Sequence, residues 1–116
     1  MALALPLNEL SLCEARRALL DHVTDQRGLA PSGSSDFEPM SDGNMGSFRI
    51  LSAVDSGDPE QVIAEFEFLD ADGVGVLVTA FSREGRTISS FDFWRYDFGS
   101  LQSFPEPADL HAPRRT

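Results

Sequence analysis

Residues 66–78 read FEFLDADGVGVLV. Phe66 and Phe68 alternate with Glu67 and Leu69, DADG follows, and Val74, Val76 and Val78 alternate again. Alternation on both sides of a short segment bearing Asp and Gly is the mark of a β-hairpin. DADG suits a type I turn with Gly73 in the left-handed bulge position. Such a turn pairs Asp70 with Val74, Phe68 with Val76, Phe66 with Val78 and Ala64 with Ala80. Side chains repeat every second residue, so this register also fixes which residues share a face.

Outward from the hairpin, period-two patterning predicts four strands at about 46–54, 62–70, 73–82 and 87–98, joined by DSGDPE, DADG and REGR. FEPM, 37–40, reads as an edge strand, since Pro39 cannot donate to a ladder on both sides. A two-residue turn at Glu84-Gly85 would set Val78 against Phe91 and Val76 against Phe93. One face is then apolar throughout: Phe66, Phe68, Val76, Val78, Phe91 and Phe93, joined by Phe48 and Ile50. Before the strands, Ser11 and Glu14 suit a capping box, and Leu12, Ala15, Leu19, Leu20 and Val23 recur at helical spacing. Gly28 is placed to stop that helix. The expected architecture is α+β: an N-terminal helix packed on one face of an antiparallel β-meander of four to five strands. Residues 1–103 form a single domain on this reading, and 104–116, FPEPADLHAPRRT with its three prolines, a flexible C-terminal tail.

The opposite face follows from the same register, in rows Leu69–Gly75–Trp94, Glu67–Leu77–Asp92, Glu65–Thr79–Ser90 and Ile63–Phe81–Ile88. Here FDFWRYDF, 91–98, puts the chain's single Trp and single Tyr beside carboxylates. A large ring over Gly75 would cover bare backbone, as aromatic side chains do for strand glycines. With one helix available, this mixed face is left open, and an open mixed patch marks a contact surface. The alternative is that loop 28–45 or the tail folds over it as a second small core. A one-residue slip of the last strand would exchange the faces, but would leave Phe91 and Phe93 in water at roughly 1.5–3 kcal/mol each.

Composition narrows the function. Nineteen acidic against nine basic residues give a formal charge of −10, and every basic residue is arginine. A negative field opposes nucleic-acid binding, which needs a basic footprint, and favours solubility or a basic partner. No apolar run is long enough to span a membrane, and MALALPLNEL lacks the basic region of a secretory signal. The lone Cys13 cannot form an internal disulfide, so a reducing cytoplasm is expected. DADG lacks calcium-loop spacing, its glycine falling fourth where the sixth position is required. His22 and His111 have no neighbours at metal-ligand spacing. SDGNMGS does not join a strand to a helix as a phosphate loop would. Glu67 and Asp92 could do acid–base work, but an open sheet face supplies no desolvation to tune them. No enzyme, cofactor or metal is expected.

DGNMGSFRIL (42–51), FLDADGVGVLVTA (68–80) and FDFWRYDFGSL (91–101) together resemble a family of small uncharacterised bacterial proteins. That family carries a DGGMGSL-type turn, a D-x-DG-V hairpin and a closing strand of the ELD-W-KVDFSPL type. This chain departs from it at Asn44, Phe91 and Gly99. The resemblance implies that Asp42, Gly43, Met45, Gly46, Asp72, Gly73, Trp94, Asp97 and Phe98 define the fold, and it associates the chain with the small acidic partners of bacterial toxins. The expected function is a non-enzymatic protein-binding module, an immunity protein neutralising a toxin of nuclease type. Glu65, Glu67, Asp92 and Asp97 would steer a basic partner, and Leu77, Trp94 and Tyr96 would anchor it. The chain itself would be a monomer or a weak homodimer. A self-associating module using the same face, or an acidic DNA mimic, are the alternatives.

Overall fold

The computed structural model describes residues 9–30, 37–41, 45–51, 59–83 and 85–113, with helix side chains from Leu12 onward. The Ser11 side chain, the turn residues Asp42 and Gly43, most of loop 28–36, strand residues 52–54, the DSGD part of the next connection, Glu84 and residues 114–116 lie outside the described residues.

Helix α1 spans Glu9–Gln26. Its backbone already includes Glu9 and Leu10, both good helix formers, so Ser11 lies within the first turn and not at the N-cap. Its end is the one the sequence encodes. Gly28 adopts φ 64°, its N–H reaches Asp25 at 3.2 Å, and the Leu29 N–H reaches Thr24 at 2.9 Å. Those two bonds are a Schellman motif, and Leu29 packs against the core beside it.

Five antiparallel strands follow: β1 Phe37–Pro39, β2 Phe48–Ile50, β3 Gln61–Leu69, β4 Gly75–Ser82 and β5 Ser90–Arg95. Their spatial order is β1-β2-β5-β4-β3. Only β3–β4–β5 runs as a meander; β2 lies beside β5, so the chain crosses to the far edge of the sheet between β2 and β3. The architecture is α+β, with Ala15, Leu19, Leu20 and Val23 of α1 buried in one cluster with Phe48, Phe66, Phe68, Val76, Val78, Phe91 and Phe93.

The β3–β4 hairpin has the register its sequence dictates. Phe68 faces Val76, Phe66 faces Val78 and Ala64 faces Ala80, the Asp70 N–H bonds the Val74 carbonyl at 2.9 Å, and Gly73 sits at φ 85°. The β4–β5 register differs from the expected one by two residues: Val78 faces Phe93 and Leu77 faces Trp94. The connection is not a two-residue turn. The Ser89 N–H closes it onto the Phe81 carbonyl at 2.8 Å, so the loop takes in residues 83–89. A shift of two leaves every side chain on its expected face and changes only its neighbours.

Two more expectations are corrected. A bulge between Val62 and Ala64 sets Val62 opposite Phe81, while Ile63 packs against the core and Ile88 is buried in it. The row Ile63–Phe81–Ile88 therefore does not exist on the open face. Within the segment read as a flexible tail, Phe104 and His111 are held against the sheet. Phe104 is buried with its ring 5.1 Å from that of Phe93, and His111 exchanges backbone hydrogen bonds of 2.8 and 3.0 Å with Glu67 on the outer edge of β3. The prolines limit regular structure there, but Phe104 and Leu110 supply apolar surface to bury.

Candidate functional site

Along β5, Phe91, Phe93 and Arg95 point to the helix side, and Asp92 and Trp94 to the other. Arg95 is thus a charge on an apolar face, 4% exposed, and the fold surrounds it with carboxylates. Its Nη1 donates to Asp70 Oδ2 at 2.6 Å and Asp72 Oδ1 at 2.9 Å. Its Nη2 donates to Asp72 Oδ2 and to Asp97 Oδ2, and Nε donates to Asp97 Oδ1 at 2.7 Å. All five N–H donors of the guanidinium are engaged. Hydrogen bonding to Asp97 and Asp72 raises the Arg95 pKa further. The same bonds, from Arg95 and then from the Gly99 amide, hold the Asp97 carboxyl at about 2. Asp72 is lowered chiefly by Arg95. Burial pushes Asp70 up, but the Gln102 and Ala71 amides, Arg95 and the Ser103 hydroxyl more than reverse it. The cluster joins the DADG turn, the end of β5 and segment 102–103 in one network.

Beyond Arg95 the chain turns back. The Phe98 N–H bonds the Arg95 carbonyl at 3.0 Å, and Phe98 adopts φ 62°, a left-handed conformation rare for a bulky side chain. This strained residue is 67% exposed. Its ring stands edge-to-face with Trp94, centroids 5.0 Å apart. Trp94 is 43% and Tyr96 46% exposed, with Leu69 at 62% beside them. Tyr96, and not Trp94, lies over Gly75: a Cβ there would come within 2.7 Å of the Tyr96 ring. The Tyr96 hydroxyl donates to Glu67 Oε2 at 2.6 Å. That bond, with partial burial, pushes the tyrosine pKa up to about 12. Together these side chains make an aromatic platform at one end of the open face.

The structure brings most of the expected contact residues together. Glu67, Leu77 and Trp94 form one cross-strand row, and Glu65, Thr79 and Asp92 the next. Glu65, Leu77 and Asp92 are half-buried and Glu67 is buried. Asp97 stands apart from them, on Arg95. Leu69 and Phe98 join the platform without having been expected among its contact residues. No local pattern marks Phe98, because its exposure depends on a left-handed turn that follows β5. Arg95 did carry a signal: its parity with Phe91 and Phe93 puts a charge among apolar side chains, and such a charge needs partners.

At the other end of the open face lies a polar cleft of about 340 Å³ lined by Arg49, Glu60, Arg83, Ser89 and Ser90, among others. Both serine hydroxyls donate to Glu60 Oε2. Burial raises the Glu60 pKa, but these bonds and the nearby Arg83 and Arg49 bring the net shift downward, so this carboxylate is held ionised and is a poor proton shuttle at neutral pH. Among the described residues no group of three or more His, Cys, Asp or Glu is arranged to hold a metal, and no helix is long and apolar enough to cross a membrane.

Residues 5–105 match a family described as Domain of unknown function (DUF6984). The chain belongs to that family. No curated protein and no solved structure matches it.

Proposed function

We propose that this chain is a non-enzymatic, acidic protein-binding module that docks a basic partner protein on the open sheet face. Its most concrete form is an immunity protein that neutralises a bacterial toxin of nuclease type in the cytoplasm. The observation that carries the reading is the aromatic platform. A soluble domain gains little in stability by holding Phe98 in a strained conformation with most of the residue exposed to water, and Trp and Tyr are the residue types that dominate binding hot spots. The formal charge of −10 adds attraction for a basic surface. The test is partner capture from the native host with the wild-type chain and Trp94→Ala. Capture should yield a basic protein whose association rate falls steeply with ionic strength, as steered encounters do, and Trp94→Ala should abolish it. A flat salt dependence, or capture indifferent to Trp94, overturns the reading. A dimer in sedimentation that Trp94→Ala dissolves would assign the face to self-association instead.

A further inference from the structure

We infer that the open face around Trp94 is a receptor for a guanidinium group, an arginine side chain presented by the partner. The inference rests on the docking reading above and specifies its chemistry.

Trp94 and Leu77 lie side by side in one row, and Asp92 and Glu65 occupy the next row across Thr79. Same-face residues on a strand are about 6.7 Å apart, two residues of rise, and neighbouring strands about 4.8 Å. A planar cation resting on the indole and the Leu77 side chain is therefore within reach of the Asp92 carboxylate while still within about 6 Å of the ring. Asp92 is set in place by the Ser47 hydroxyl of the segment entering β2, which donates to its Oδ1 at 3.1 Å. Glu67, at the end of the Trp94 row, is fixed by Tyr96. The platform thus offers a π face bordered by anchored acceptors and few donors.

That combination selects its occupant. An apolar side chain would satisfy Trp94 and Phe98 but strip water from carboxylates without replacing it. A phosphate or a nucleic acid would meet like charge. Lysine would be attracted, but its compact, strongly hydrated ammonium stacks less well than a guanidinium, which is planar and weakly hydrated. The chain's adjacent cation cannot occupy the site, because Arg95 lies on the opposite side of the sheet and all its donors are bound by Asp70, Asp72 and Asp97.

Trp94 is the only tryptophan, so its fluorescence reports on this site alone. Hexaarginine and hexalysine, of equal charge, are titrated into the full chain at low and at physiological salt. Hexaarginine should change Trp94 emission saturably and bind about threefold tighter than hexalysine. Glu65→Gln combined with Asp92→Asn should weaken it about tenfold, whereas Asp21→Asn with Asp25→Asn, the same charge change on α1, should not. Circular dichroism confirms that the variants fold. Equal affinity for the two peptides, binding without a Trp94 response, or equal loss in both double variants overturns the inference. Nile red, neutral and apolar, separates this failure from that of the docking reading. If the dye binds wild type but not Phe98→Gly while hexaarginine fails, the platform is a docking surface of other chemistry. If neither probe binds, both readings fall.

Discussion

Phe93 and Trp94 are consecutive residues of one strand, yet Phe93 is 1% and Trp94 43% exposed. The strand alternation puts them on opposite sides of the same sheet, and helix α1 packs on the Phe93 side. Arg95, next in line, returns to the covered side and is as buried as the phenylalanines, because three aspartates satisfy every donor it has. The two faces therefore follow opposite rules. On the covered face even a charge is fully partnered; on the open face even aromatic residues are left about half exposed or more. The cover supplied by α1 together with Leu101 and Phe104 marks the one side.

The largest test of this contrast truncates the two neighbours. Phe93→Ala should cost about 3–5 kcal/mol of unfolding free energy in urea titration, and Trp94→Ala about 1 kcal/mol, while partner binding should respond the other way round. A large stability loss from Trp94→Ala would mean that the open face is core. Next, Gly75→Ala forces a Cβ against the Tyr96 ring and should cost about 1–3 kcal/mol. Adding Tyr96→Ala should recover most of that loss, because an exposed ring is the obstacle.

Phe98→Gly should act with the opposite sign. Glycine adopts the left-handed conformation without strain, so stability should hold or rise by about 1 kcal/mol, while Trp94 emission shifts as its ring neighbour is lost. A clear loss of stability would show that the Phe98 ring holds the fold together and is not there for a partner. The smallest effect concerns Asp97, whose side chain is about half exposed. Its folded pKa of about 2 lies below the ordinary 3.8. The Asp97–Arg95 contribution is therefore fully present above pH 4 and is lost as pH falls through 2. The urea midpoint of Asp97→Asn should lie below that of wild type at neutral pH, and the gap should close in that acid window. A gap that instead opens on acidification would contradict the ion pair.

Much of this molecule is legible in short stretches. DADG between alternating runs gives the β3–β4 register residue by residue, and Gly28 gives the helix end, because each is set by the backbone needs of a few adjacent residues. The face assignment of β5 was also readable, and it survived an incorrect turn, since a two-residue shift preserves parity. The candidate site was half readable. Trp94 and Tyr96 stand out by composition and parity, but their neighbours depended on the length of loop 83–89, where Ser82 and Gly85 close a wider turn than REGR suggests. The packing of Phe104 was hidden behind prolines that argue for a loose end.

The sequence alone determined which side each strand residue takes, where the long hairpin turns, and that the chain carries a strong negative charge. Those properties arise from period-two geometry, local turn chemistry and counting. Only the tertiary structure decided that β2 lies against β5, that Tyr96 covers Gly75, that Asp97 serves Arg95, and that Phe98 is held out in solvent. The β2–β5 pairing and the Tyr96–Gly75 contact join residues far apart in the chain. The Asp97 and Phe98 geometry depends on how the turn after β5 sits against the DADG turn. Both are settled by packing and not by local pattern.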